Sequence, residues 1–153
     1  MTNDTHIAVL VPLAIGAIAV LGTIVIHALA LGATVNFFRY ERRAGRAGSS
    51  ALIDFVIVVL VISLVFVAHL IEIGLWAKLF VLCGEFREFG AAYYHSAVNY
   101  TTLGYGDVVM TASWRMLGPL EGADGALMFG VSAAMIFTVT ARLIQTRFED
   151  LRG

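Results

Sequence analysis

The stretch AAYYHSAVNYTTLGYGD, residues 91–107, decides how the chain is read. Its apolar part is only about a dozen residues long, too short for the roughly 20 helical residues that cross a hydrocarbon core, and of the length expected of a segment that enters the membrane and returns. Its second half, TTLGYGD at 101–107, places two glycines, two hydroxyls and a carboxylate in a chain that is 59% apolar and 14% charged, with mean hydropathy +0.87. Irregular backbone at membrane depth is tolerated only where it lines a water-filled path or lies buried in protein. Residues 91–101 are therefore expected as a short descending helix, and the glycine-containing run as its return.

Working outward, three segments are long and apolar enough to span: 7–36, 51–80, and one from a start between Ser113 and Pro119 to 145. The first has no basic run before it and is too long for a signal-peptide core, so it is expected to be retained. Arg39, Arg42, Arg43 and Arg46 lie between the first two spans and Arg142, Arg147 and Arg152 follow the third, whereas MTNDTH at the start holds no Lys or Arg. By the positive-inside rule both basic segments are cytoplasmic, which puts the N-terminus outside, the C-terminus inside and residues 81–113 on the exterior. The expected fold class is an all-α membrane protein of three transmembrane helices plus a re-entrant helix, multi-pass in a plasma (inner) membrane. A net charge near −1 points to no charged partner. Cys83 is the single cysteine, so any disulfide would join two chains, with a free or buried thiol as the other reading.

Gly104 and Gly106 alternate with Leu103 and Tyr105, and glycine admits torsions that other residues resist, so consecutive carbonyls can point the same way. Four such rows around an axis would replace the hydration shell of a cation, with the Thr102 hydroxyl adding a further ring of oxygens, which is the physical design of a potassium selectivity filter. On the run Thr101 to Asp107 the chain resembles the potassium channel family, specifically the small channels built as helix, re-entrant pore loop, helix.

The resemblance covers about 51–145 and leaves the first span outside it. It implies an extra N-terminal helix with a cytoplasmic basic loop over 1–50 and a pore domain over 51–153. It further implies a filter of Thr102, Leu103, Gly104, Tyr105 and Gly106 that holds K+, supported by Thr101, Asp107 and Tyr94. Tyr94 lies thirteen residues before Asp107, where the family commonly has an aromatic donor to the filter's acid. Leu103 stands where many relatives carry Val, and Val98 where some place a second carboxylate. One pore loop per chain, with no internal repeat, makes a homotetramer the expected assembly. Potassium ions and membrane lipid are the expected partners, with no nucleic acid.

The third span is expected to line the pore. Its glycines at 118, 122, 125 and 130 suit close helix contact, and Gly125 or Gly130 is the candidate hinge. Pro119 marks either a kink, in a helix starting at Trp114, or the favoured first position of a helix starting there. The first span has Ala28 and Gly32 at small-xxx-small spacing and no ladder of arginines, so it is expected as a peripheral brace and not a voltage sensor. His27, about 30 Å along that helix from Ile7, is expected at the inner interface. No soluble regulatory domain is expected after the last span, so the gate is expected in the membrane part or in a separate protein.

Ionisable side chains inside apolar spans are functional candidates. His69 and Glu72 are three apart on the second span, Glu121 and Asp124 three apart on the third, and His95 begins the re-entrant helix at similar depth. An imidazole with three carboxylates on two packed helices is a candidate site for a divalent cation such as Zn2+, or for protons. The structural alternative is that Glu121 serves the first turn of its helix and that His69 and Glu72 form a hydrogen-bonded pair behind the re-entrant helix. Asp54 reads as an acid in the first turn of the second span.

The expected function is passive, potassium-selective conduction with no catalysis, since no phosphate-binding loop or nucleophile signature is present. Two alternatives remain: an intramembrane metal-dependent enzyme using the His and carboxylate residues, and a non-conducting regulatory channel subunit.

Overall fold

The computed structural model describes the backbone of residues 2–150 and the side chains of residues 10–148, so Arg152 and the side chains of the MTNDTH tail lie outside the described residues. Among the described residues four helices follow one another: α1 (Thr2–Arg43), α2 (Ala51–Leu82), α3 (Phe89–Tyr100) and α4 (Leu117–Asp150). Three of them are long and apolar enough to cross a membrane, over Leu10–Arg43, Ala51–Leu82 and Leu117–Phe148. The protein is thus an all-α, multi-pass membrane protein with three spans and one short helix between the second and third.

Both long helices that precede the short one run further than their apolar stretches require, because each continues to a stop signal. In α1 the chain turns at Gly45 (φ 69°), where the Arg46 amide donates to the Glu41 carbonyl and the Gly45 amide to the Arg42 carbonyl. In α2 it turns at Gly84 (φ 77°), with the amides of Glu85 and Gly84 donating to the carbonyls of Phe80 and Val81. This crossed pair of bonds around a left-handed residue satisfies carbonyls that a helix end otherwise leaves open. At the start of α2, the Ser50 hydroxyl accepts the Ile53 amide and the Asp54 carboxylate accepts the Gly48 amide at 2.8 Å. Pro119 falls in the first turn of α4, neither kinking the helix nor opening it; amides there have no partner within the helix, so the missing N–H costs nothing. The re-entrant helix begins at Phe89, two residues before the expected start.

The three long helices each contribute to two compact units. The first holds Met1–Ile26 and Leu70–Met128. Its core gathers Ala19 from α1; Ile73, Trp76, Ala77 and Phe80 from α2; Ala92 and Tyr100 from α3; and Leu117 and Met128 from α4. The second holds His27–His69 and Phe129–Gly153, with Ile57 and Val61 of α2 packed with Val139 and Leu143 of α4 and Ala47 of the connecting loop. Lipid is as apolar as these side chains, so van der Waals fit and interhelical hydrogen bonds, not expulsion of water, hold such contacts together.

Candidate functional site

The α3 helix ends as α1 and α2 do, with one difference. The Leu103 amide donates to the Val98 carbonyl at 2.9 Å and the Thr102 amide to the Asn99 carbonyl at 2.8 Å, the same crossed pair. The left-handed position, glycine in the other two helices, is here Thr102 at φ 59°. A left-handed backbone costs an L-residue about 1–2 kcal/mol, and a β-branched residue there is an outlier. Gly104 (φ 60°) and Gly106 (φ 72°) follow, while Leu103 and Tyr105 have negative φ, so φ changes sign at every residue from 102 to 106. In a strand successive carbonyls alternate sides; a backbone that alternates handedness residue by residue can turn them to one side. All residues from Thr101 to Val109 are exposed in the single chain.

The return is anchored from outside. The Tyr94 hydroxyl donates to Asp107 Oδ2 at 2.7 Å, and this bond is the main reason the Asp107 carboxyl is held below its ordinary range. Glu85, just after α2, accepts both the amide and the hydroxyl of Thr111, at 2.7 and 2.6 Å. A groove of about 780 Å³ runs alongside, lined among others by Val98, Thr102, Gly104, Arg115, Pro119 and Ala126.

Behind α3 the first unit buries three carboxylates, each engaged with a different side chain. Tyr100 donates from its hydroxyl to Glu72. The Ser96 hydroxyl sits between the Ile73 carbonyl, at 2.8 Å, and Glu121 Oε1. Asp124 accepts from the Trp76 indole N–H at 2.9 Å and lies 2.8 and 3.0 Å from the Thr23 hydroxyl. His95 pairs with Asn99 at 2.9 Å. Thus α1 and α2 both reach Asp124 on α4, while α2 and α4 grip α3 through Glu72 and Glu121. Small residues bring the backbones close: a Cβ on Gly122 would lie 3.3 Å from the Asn99 carbonyl oxygen, and one on Gly125 would lie 2.0 Å from that of Tyr100. Gly130, the other candidate hinge, meets nothing within 4 Å.

The remaining candidate, His69, belongs to the second unit. Its Nε2 lies 2.9 Å from the Ser132 hydroxyl, whose other neighbour is His27 Nε2 at 3.1 Å. His27 is only 2% exposed, so the interfacial position expected for it is corrected: its ring stacks 5.1 Å from that of His69, inside the protein. Each of the two imidazoles offers a ligand nitrogen within 4.8 Å of the other's. Sequence reading passed over Thr23, Trp76, Ser96 and Ser132. The available signal was polarity within apolar spans, where a buried hydroxyl or indole N–H has to find an acceptor.

A sequence profile for a family of ion channels matches residues 55–142, more than half of the chain. The chain belongs to this ion-channel family. It is therefore a channel and not an enzyme, which removes the metalloenzyme alternative, and the match takes in α3, the return and most of α2 and α4. No curated protein and no solved structure matches the chain.

Proposed function

We propose that the channel is potassium-selective and homotetrameric, and that Thr102, Leu103, Gly104, Tyr105 and Gly106 of four copies form its filter, with Thr101, Asp107 and Tyr94 in support. The observation that carries this reading is the alternating handedness of residues 102–106. Carbonyls turned to one side of each chain, and ringed by four chains, replace the water around a dehydrated K+. The groove of about 780 Å³ beside the return is where a neighbouring copy fits. The end of α3 at Tyr100 directs its partial negative charge toward the ion path.

Residues 51–153 form the pore domain in this reading, and residues 1–50 an accessory helix with its basic loop. The N-terminus lies outside and the C-terminus in the cytoplasm of a plasma (inner) membrane, on the strength of Arg39, Arg42, Arg43 and Arg46. Gating is assigned to the polar residues of the spans, His69, Glu72, Glu121, Asp124 and His95, acting through a divalent cation such as Zn2+ or through protons. Gly125 and Gly130 are the hinge candidates, with Gly125 bound closely to Tyr100 and Gly130 unencumbered.

The test is flux from liposomes holding the purified full chain. Potassium should leave far faster than sodium, and Gly104→Ala should abolish the flux. Equal passage of the two ions would refute selectivity, and no flux from the chain alone would favour the non-conducting subunit.

A further inference from the structure

In the second unit one hydroxyl is shared by two imidazoles. His27 of α1, His69 of α2 and Ser132 of α4 are 2%, 5% and 5% exposed, and both histidines turn Nε2 to the same Ser132 oxygen, at 3.1 and 2.9 Å. Phe129 packs on His69 with ring centroids 4.5 Å apart and helps shut the site from its surroundings. A serine hydroxyl has one proton to give, so it can satisfy at most one of the two Nε2 lone pairs, and any other Nε2 bonded to it carries its own proton and donates. A cation placed between them lets both rings use their lone pairs at once.

We propose that His27 and His69 form a binding site for a zinc-class divalent cation, with Ser132 holding the two rings together until the ion arrives. The dimensions fit. Tetrahedral coordination at about 2.0–2.1 Å sets the two nitrogens about 3.3 Å apart. One ring nitrogen of each histidine already lies within 4.8 Å of one from the other, so small side-chain rotations close the difference. Imidazole nitrogen suits zinc, cobalt, nickel or copper, and disfavours calcium and magnesium, which take oxygen. Ion binding joins α1 to α2, with the Ser132 turn of α4 released from its two hydrogen bonds. The accessory helix thereby acquires a role in gating. That consequence rests on the channel reading above, whereas the binding itself does not.

The binding is tested without flux, on the purified full chain carrying Cys83→Ser so that no thiol competes. Co2+ is titrated into metal-free protein while its visible absorption is followed, and is then displaced with Zn2+. One ion per chain with the intense absorption of tetrahedral cobalt is expected. His27→Gln and His69→Gln should each weaken binding at least tenfold, while Ser132→Ala, which keeps both imidazoles, should hold affinity within a few-fold. Thermal unfolding of the metal-free variants checks that each is folded. Absent cobalt binding, binding indifferent to both glutamine variants, or loss in Ser132→Ala as complete as in the histidine variants would overturn the site. Liposome flux of K+, with and without Zn2+, is read separately: a protein that binds cobalt through His27 and His69 but passes no K+ refutes the channel reading and leaves the site standing.

Discussion

The Tyr100 carbonyl oxygen lies 2.0 Å from where a Cβ on Gly125 would stand, so α4 and the last turn of α3 touch backbone to backbone. Contact at that distance is open only to glycine, and the obstacle is main chain that cannot rotate away. Gly125→Ala should therefore destabilise by about 3 kcal/mol or more, the upper range of overpacking. Thermal unfolding in detergent measures it. Gly130→Ala, with no atom within 4 Å in the single chain, serves as the comparison and should unfold like the parent.

The bond from Tyr94 to Asp107 should give the return a pH dependence. Because the Asp107 carboxyl is held below its ordinary 3.8 by this bond, the stabilisation is complete above that value and is lost as pH falls through the lower folded-state value. Tyr94→Phe removes the donor and should flatten the response. The measurement is the unfolding temperature in saturating K+ between neutral pH and about pH 3. An unchanged acid profile in Tyr94→Phe would show that the bond does not stabilise the return.

Ser96 tests how α3 is held from behind. Its hydroxyl stands between the Ile73 carbonyl and Glu121, so Ser96→Ala leaves a buried acceptor without its donor, at a cost of about 1–3 kcal/mol. Glu121→Gln keeps an oxygen facing the serine and should unfold close to the parent. Unfolding of the two variants side by side checks the expectation. A loss in Glu121→Gln with none in Ser96→Ala would mean that charge on Glu121, and not its hydrogen bond, is what the site requires.

The three spans and the short helix were legible because length and hydropathy report on lipid, which acts on each helix separately. The second span was expected from about Ala51, and α2 starts there, where Ser50 and Asp54 bond the first turn. Helix ends governed by glycine turns lie beyond the apolar spans: the first span ends at about 36, yet α1 continues to Arg43, where Gly45 stops it. Partnerships across helices were less legible. His69, Glu72, Glu121, Asp124 and His95 were read as one layer from their depth alone. Depth does not fix rotation about the helix axis, and in the structure His69 is turned to Ser132 and Asp124 to Trp76 and Thr23. The pairing of Tyr94 with Asp107, thirteen residues on, was legible only through the family resemblance, and in the structure the two bond at 2.7 Å.

Thr23 bonds α1 to α4 within the first unit, 2.8 and 3.0 Å from the two oxygens of Asp124. Hydrogen bonds between helices in lipid average about 0.6 kcal/mol and reach about 1.7. Thr23→Val keeps the shape and removes the donor, and since Trp76 still donates to Asp124 the loss should stay near the lower figure. Trp76→Phe together with Thr23→Val leaves the carboxylate without either donor and should cost more than the sum of the single changes. A double-mutant cycle on unfolding free energies measures the coupling, and simple additivity would mean that the two donors act independently.

Thr102 occupies a position that α1 and α2 fill with glycine, at Gly45 and Gly84, in the same hydrogen-bonded turn. By fold alone glycine is the better residue there, and Thr102→Gly should raise stability by about 1 kcal/mol by relieving the left-handed backbone. That threonine stands there in spite of the strain points to its side chain, whose hydroxyl glycine cannot supply, and strain held against stability is a mark of function. Thr102→Gly is thus expected to unfold at a higher temperature while discriminating less between K+ and Na+, and Thr102→Ser, which keeps the hydroxyl, to retain discrimination. Unfolding and liposome flux on the same preparations separate the two effects. Full selectivity in Thr102→Gly would leave the strained threonine without a role in selectivity.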